Sequence, residues 1–169
     1  MNNVNIDEFH DLDIVILCGL PASGKTHIAR KLFQDTDRMR INRGGLRKAL
    51  YTMTHFGDEW KESYFNNDDE VLVKHVERRI LEHYLQNKRK VLIDNTSVTK
   101  VSRKTYITVA KKMNRSIGVI FVNSPVEKCM ERNRAREDKL PEMVISNLNT
   151  NKEMPTTDEG FDLIHSVNN

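Results

Sequence analysis

Disulfide-forming cysteine is scarce in this sequence. There are two, Cys18 and Cys129, each inside an apolar stretch and neither in a CxxC pair, which excludes a secreted disulfide scaffold and predicts two buried thiols. Long hydrophobic runs are missing as well. The longest, Ile14 to Cys18 and Val119 to Val122, fall far short of the roughly 20 residues that span a bilayer. The opening MNNVNIDEFHD is polar and acidic, unlike a secretion signal, so the expected location is cytoplasmic and the expected partners include no membrane. Glycine and proline are few, 7 and 4 in 169 residues, and no linker or low-complexity segment divides the chain. Neither charge sign dominates: 27 basic against 24 acidic side chains leave +3, so an anion site must come from local clustering. The six histidines show no metal-ligand spacing, and none is assigned to a metal.

What is present is an ordinary globular composition, 38% hydrophobic and 30% charged, long enough for one domain with its own core. Ile14 to Cys18 reads as a strand buried on both faces, because it is a short β-branched run ending at a glycine. Helical spacing follows from Lys25 to Phe33, a short strand from Arg38 to Asn42, and helices over Leu46 to Met53 and Asp69 to Gln86, the second capped within Asn67-Asp68-Asp69. Val91 to Asp94 predicts a third strand, Val101 to Met113 a helix, Ile117 to Val122 a fourth strand, and Pro125 to Ala135 and Pro141 to Lys152 two helices with proline at their starts. Phe161 to Val167 closes the list as a fifth strand. Strands alternating with helices predict an α/β three-layer sandwich around a central, mostly parallel sheet of about five strands. Residues 13–169 read as the domain, and residues 1–12 as a loosely attached segment.

Gly19-Leu-Pro-Ala-Ser-Gly-Lys-Thr26 fits G-x-x-x-x-G-K-[ST] completely, directly after a predicted strand and before a predicted helix. In such a loop the backbone of Gly19, Pro21, Ala22, Ser23 and Gly24 forms an anion nest at a helix N-terminus. Lys25 then reaches the β- and γ-phosphates of ATP, and the Thr26 hydroxyl takes one place around Mg²⁺. The loop identifies a nucleotide user, not its chemistry. No base-reading Asn-Lys-x-Asp is present, and the length leaves no room for the extra helical domain of an oligomeric ATPase. A small kinase is the economical reading.

A kinase also needs a carboxylate near the acceptor hydroxyl, cations for the developing charge, and a segment that closes over ATP. Asp94 ends the third predicted strand, where it serves the metal's water shell or the acceptor, or merely caps the strand with an Asx turn. Arg132, Arg134 and Arg136 in ERNRARED have the character of an arginine-rich lid or of a solvated helix end. Arg43 and Arg47, one helical turn apart, suit an acceptor phosphate or plain solubility. Tyr51, Phe56, Trp60, Tyr64 and Phe65 suit base stacking or packing of a helix pair, and His55 beside them contacts an acceptor or simply faces solvent.

With these residues in hand, the sequence resembles the kinase domain of 5′-hydroxyl polynucleotide kinases of the bacteriophage and mammalian repair types. The resemblance runs through five segments in order: GLPASGKT, INRGGLR at Ile41 to Arg47, VLIDNTSVTKVSRKTY at Val91 to Tyr106, ERNRARE at Glu131 to Glu137, and MPTTDEGFDLI at Met154 to Ile164. It implies a P-loop NTPase fold and transfer of the γ-phosphate of ATP, with Mg²⁺, to a 5′-OH end of DNA or RNA. By position it implies ATP and metal contacts from Lys25 and Thr26, an acceptor-phosphate arginine at Arg47, an active-site aspartate at Asp94 with Asn95 beside it, and a lid arginine at Arg136, to which the charge cluster adds Arg132 as a nucleotide contact. If the protein is phage-encoded, its location is the host cytoplasm.

One position departs from the pattern. The family's general base is the aspartate directly after Asn-Arg, and here that residue is Gly44. General-base help is worth roughly 10²- to 10⁴-fold. Four explanations stand: an inactivated variant, a substitute carboxylate such as Asp94, Asp58 or Glu59, a different acceptor, or ATP binding without catalysis. Related phage kinases phosphorylate 5-hydroxymethyluracil within DNA, which would have to be flipped into the site. A small-molecule P-loop kinase is the third enzymatic reading.

Overall fold

The computed structural model describes residues 7–169. Five strands, β1 (Ile14–Cys18), β2 (Met39–Ile41), β3 (Val91–Asp94), β4 (Ile117–Asn123) and β5 (Leu163–Asn168), form one sheet in the order β2-β3-β1-β4-β5. Every pairing is parallel, with Leu17 opposite Asp94 on one side of β1 and opposite Ile120 on the other. The expected α/β sandwich is therefore what forms, with a fully parallel sheet in the P-loop NTPase-like arrangement.

The helices are α1 (Asp7–Asp11), α2 (Lys25–Phe33), α3 (Arg43–Thr54), α4 (Asn67–Gln86), α5 (Lys100–Lys112), α6 (Val126–Arg134) and α7 (Glu142–Thr150). The pleat sends alternate residues of β1 to opposite faces of the sheet. Ile14, Ile16 and Cys18 join Leu81, Leu85, Tyr106 and Ala110 of α4 and α5, whereas Val15 and Leu17 join Phe9, Ala29 and Phe33 of α1 and α2. Both layers are dry: Ile14, Val15, Ile16 and Leu17 have no exposed surface, each worth about 1.5 to 3 kcal/mol relative to exposure. A third cluster of Leu20, Val98, Cys129 and Ile145 holds α6 and α7 against the ends of β1 and β3. Both cysteines are free and buried, as their apolar surroundings predict.

The strand order places β3 and β4 on opposite sides of β1, so their connections diverge and leave a crevice at the C-terminal edge of the sheet. The loop after β1 and the polar end of β3 both open there. Asp94 lies on the same side of β3 as Leu92, the side that packs on α2.

Two boundaries differ from expectation for physical reasons. Helix α3 begins at Arg43 rather than Leu46, because the Asn42 side chain accepts the Gly45 N–H at 2.8 Å and draws both glycines into the first turn. Helix α1 was expected to lie in a loose segment, and over residues 7–12 that expectation is corrected. Phe9 is fully buried, and the Arg38 guanidinium gathers the carbonyls of Phe9, His10 and Leu12 at 3.0, 3.3 and 2.7 Å. A Cβ at Gly118 on β4 would stand 2.4 Å from Leu12, so glycine there is what lets this segment seat on the sheet. Residues 1–6 of the expected loose segment lie outside the described residues.

Candidate active site

The loop from Gly19 to Thr26 curls over the end of β1. Gly24 caps α2 in the left-handed region at φ 101°, and Ala22 also adopts positive φ at 60°, a conformation that costs a residue with a Cβ on the order of 1 kcal/mol and is held only by its surroundings. The Gly19 N–H donates to the Thr96 carbonyl at 2.9 Å, tying the loop to the end of β3. Lys25 is nine-tenths buried and donates its Nζ to the Leu20 carbonyl at 2.6 Å. Burial pushes its ammonium down to about 8, against the pull of Asp94 in the other direction.

Pro21, Ala22, Gly24, Lys25 and Thr26 face a cavity of about 1280 Å³ that also reaches Asp94, Asn95, Gly44, Arg47, Arg132 and Arg136. These expected residues, scattered over 116 positions of sequence from Pro21 to Arg136, are thus brought to one space. Ser23 is corrected. It is fully buried behind the loop with a hydroxyl that has no partner, its N–H goes to Leu20, and its carbonyl accepts from Ser124 and Asn169. It shapes the nest without facing the cavity.

Thr26 Oγ1 donates to Asp94 Oδ2 at 3.2 Å. A hydroxyl and a carboxylate side by side at the start of the phosphate helix are the donor set a hard divalent cation takes, so Thr26 and Asp94 fit Mg²⁺ and the loop with Lys25 fits a triphosphate. When bound, the ion supplies neutralisation of charge on the phosphates. Arg40, which the sequence reading did not single out, donates Nε and Nη2 to the same Asp94 oxygen at 2.9 and 2.6 Å. Its alternation with the buried Ile41 on a short strand was the available signal. Asn42 couples the two elements by donating to the Asp94 carbonyl at 2.6 Å while it caps α3.

The two α3 arginines are more firmly engaged than a free acceptor clamp. Arg43 donates to Glu77 Oε2 at 2.6 Å and to the Tyr106 hydroxyl at 3.1 Å, and its backbone N–H donates to Asn95 Oδ1 at 2.7 Å. Asn95 and Tyr106 in turn both donate to Glu77 Oε1. Burial first, then the Glu77 charge, pushes the Tyr106 phenol well above its usual range. Arg43 therefore lines the cavity, as expected of it, but with its guanidinium already tied to Glu77 and Tyr106. Arg47 donates Nε and Nη2 to Glu70 Oε2 at 3.0 and 2.7 Å and lies over the rings of Trp60 and Phe65. It still lines the cavity, as does Glu70. Glu70 and Glu77 went unnoticed in the sequence. The signal was their position on the buried stripe of α4, with Val73, Leu81 and Leu85, where a carboxylate must find a partner.

The arginine-rich segment divides. Arg132 Nη1 is 3.5 Å from the Ala22 and Ser23 carbonyls, so it already abuts the phosphate loop. Arg136 pairs with Asp138, which Lys48 of α3 also approaches at 3.4 Å, bridging lid and helix across the cavity. Arg134 points away to Glu142. The aromatic group divides too: Trp60 and Phe65 flank Arg47, while Tyr51 stacks with His55 and Tyr64 on the surface and Phe56 is fully exposed. Among the described residues no group of histidine, cysteine and carboxylate side chains forms a metal cluster, and no helix is long and apolar enough to cross a membrane.

Known proteins resemble this chain in sequence and in fold. The chain is 26% identical over 150 residues to L-seryl-tRNA(Sec) kinase of Methanococcus maripaludis, covering 89% of this chain and 56% of that protein. It is 26% identical over 160 residues to the bifunctional polynucleotide phosphatase/kinase of Schizosaccharomyces pombe, covering 92% of this chain and 33% of that protein. The chain thus spans about half of the first relative and a third of the second. Among solved structures, Chaetomium thermophilum Kti12 in complex with ADP-AlF3 superposes with a TM-score of 0.64 at 21% identity, over 92% of this chain and 88% of that one, a likeness of fold. The family model described as AAA domain matches residues 14–155, and the chain belongs to that family.

Proposed function

We propose that this protein is an ATP- and Mg²⁺-dependent kinase that transfers the γ-phosphate to a hydroxyl of DNA or RNA, a 5′-OH end by default. The observation that carries this reading is one cavity that holds both halves of a phosphoryl transfer. On one wall are the phosphate loop, Lys25 and the Thr26–Asp94 pair; on the other are Arg47 and the start of α3. Its roughly 1280 Å³ exceeds the ~300–1,000 Å³ of a pocket for one small ligand, which supports a bulky acceptor beside the nucleotide. The two curated relatives, named as kinases of a polynucleotide and of seryl-tRNA, support a nucleic-acid acceptor. Lys25, Thr26, Asp94 and Arg136 are the residues assigned to the phosphates and metal, with Arg132 behind them, and Arg47 and Asn95 are assigned to the acceptor side.

Transfer of labelled γ-phosphate tests this with three acceptors in parallel: a 5′-OH oligonucleotide, a blocked-end duplex containing 5-hydroxymethyluracil, and a mixture of small hydroxyl compounds. Label is expected on the oligonucleotide, with a KM that rises steeply with salt because a polyanion releases counterions on binding. Label on the modified base alone moves the acceptor into the duplex. Label only on small compounds, at a salt-independent KM, overturns the nucleic-acid reading, and no label with ADP still bound overturns the kinase reading.

A further inference from the structure

A hydroxyl that attacks a phosphoryl group must surrender its proton to an oriented oxygen within hydrogen-bond reach. The residue after Arg43 offers none, since it is Gly44, so the carboxylates facing the cavity have to be considered in turn. They are Glu62, Glu70, Asp94, Glu137 and Asp138. Asp58 and Glu59, named above as substitutes, do not reach the cavity and are exposed. Asp94, whose Oδ2 takes Arg40 and Thr26, is the carboxylate that fits the metal beside Thr26. Asp138 is paired with Arg136 and Lys48. Glu137 is exposed on the lid segment, and Glu62 stands on a three-residue helical turn within the long α3–α4 connection.

Glu70 differs from all of these. It is nine-tenths buried in the first turn of a 20-residue helix, so its backbone is fixed. Arg47 holds Oε2 with two hydrogen bonds, whereas Oε1 makes no hydrogen bond and has the Arg43 Nε at 3.9 Å. Arg43 and Arg47 are four residues apart and share one face of α3. The Glu70 carboxylate reaches both, with Oε2 on Arg47 and Oε1 3.9 Å from Arg43, while position 44 lies about 100° further around the helix from Arg43. That stretch of α3 is bare: a Cβ on Gly44 would meet only Asn42 Oδ1, at 3.4 Å. Glu70 and Gly44 line one cavity, so a carboxylate from α4 opens on the same space as the bare position of α3.

We infer that Glu70 is the carboxylate that orients and deprotonates the acceptor hydroxyl, taking over from across the α3–α4 packing the part that an aspartate at position 44 would play. The assignment rests on the kinase reading above. In the transfer step the acceptor oxygen forms a bond to the γ-phosphorus as the bond from that phosphorus to the β–γ bridging oxygen breaks. ADP leaves with the electron pair of that bond, and the hydroxyl proton passes to Glu70 Oε1. The Arg47 grip on Oε2 fixes the charge in place, so the carboxylate has no rotamer search to make when the hydroxyl arrives.

The test is a cycle of Glu70→Gln and Gly44→Asp, assayed with whichever acceptor the wild-type protein labels, with thermal unfolding run on every variant. Glu70→Gln keeps the shape and an acceptor for Arg47, and it should lower kcat by roughly 10²-fold with the KM for ATP unchanged. Gly44→Asp added to Glu70→Gln should restore kcat to within about tenfold of wild type, because a side chain at position 44 enters the same cavity and its Cβ meets only Asn42 Oδ1. A second variant, Glu70→Asp, keeps the charge but withdraws it by one methylene, and should fall between wild type and Glu70→Gln even if the glutamine variant unfolds. Three outcomes overturn the assignment: an unchanged kcat in Glu70→Gln, a raised acceptor KM at constant kcat, which would make Glu70 only an anchor for Arg47, or a large gain from Gly44→Asp alone. A wild-type protein that labels no acceptor would instead overturn the kinase reading itself.

Discussion

Lys25 illustrates what burial does to a single charge. Its ammonium sits under the phosphate loop with one backbone carbonyl as its hydrogen-bond partner, and desolvation lowers it to about 8 while Asp94 partly offsets the shift. Anionic phosphates favour the protonated form, so the nucleotide complex binds more protons than the free protein above pH 8. By linkage, affinity must then fall as pH rises. The Kd for ADP should be nearly flat below pH 7.5 and weaken by up to about tenfold per unit between pH 8.5 and 9.5. Calorimetry at pH 9 in buffers of different ionisation enthalpy should detect uptake of close to one proton, and a flat Kd across that range would refute the argument. The phosphate-loop side of the site was legible because Gly19 to Thr26 is a local motif whose spacing alone fixes its geometry. The opposite wall was not, because Arg40, Glu70 and Glu77 act through partners 18 to 54 positions away.

At the scale of elements, the α3–α4 pair is built around buried carboxylates. Glu77 accepts from Arg43, Asn95 and Tyr106 and is nearly inaccessible to water. Through Glu77 of α4 the network joins the start of α3, the end of β3 and the middle of α5, and it holds the start of α3 in register with Asp94. Removing one partner leaves the others desolvated without compensation. Glu77→Met should therefore cost about 3 kcal/mol in urea unfolding, whereas Arg43→Met with Glu77→Met should cost less than the sum of the single changes. Strict additivity would show that the pair is not coupled. The start of α3 teaches the same lesson. Two adjacent glycines disfavour helix there, and the sequence places its start at Leu46, yet the Asn42 cap and the hydrogen bond from Asn42 to the Asp94 carbonyl extend the helix through them.

For the whole molecule, the decisive feature is a parallel sheet sealed on both faces. Its α1 side depends on a helix of only five residues, which local periodicity gave no reason to expect. Phe9 fills that layer and Arg38 clamps the carbonyls around it. Phe9→Ala should destabilise the protein by about 3 to 5 kcal/mol, read from a denaturant midpoint with unchanged slope. A loss under 1 kcal/mol would return this segment to the loosely attached status its polar sequence suggested. The effect should be felt far from the nucleotide, since Phe9 packs beneath β1 and β4 while the phosphate loop leaves the other end of β1.

The amino-acid sequence by itself determined the alternation of strands and helices, the all-buried character of the central strands and the phosphate loop, because each is written in residues adjacent in the chain or one helical turn apart. Tertiary structure alone decided which charges serve the site and which serve the scaffold. Arg43 and Arg47 are indistinguishable as cations on one helix face, and only the carboxylates that α4 brings to the cavity wall tie one to the buried Glu77 network and the other to Glu70. The physical reason is that a charge takes its energy from its neighbours in space and from the water it loses, and neither is encoded next to it in the chain.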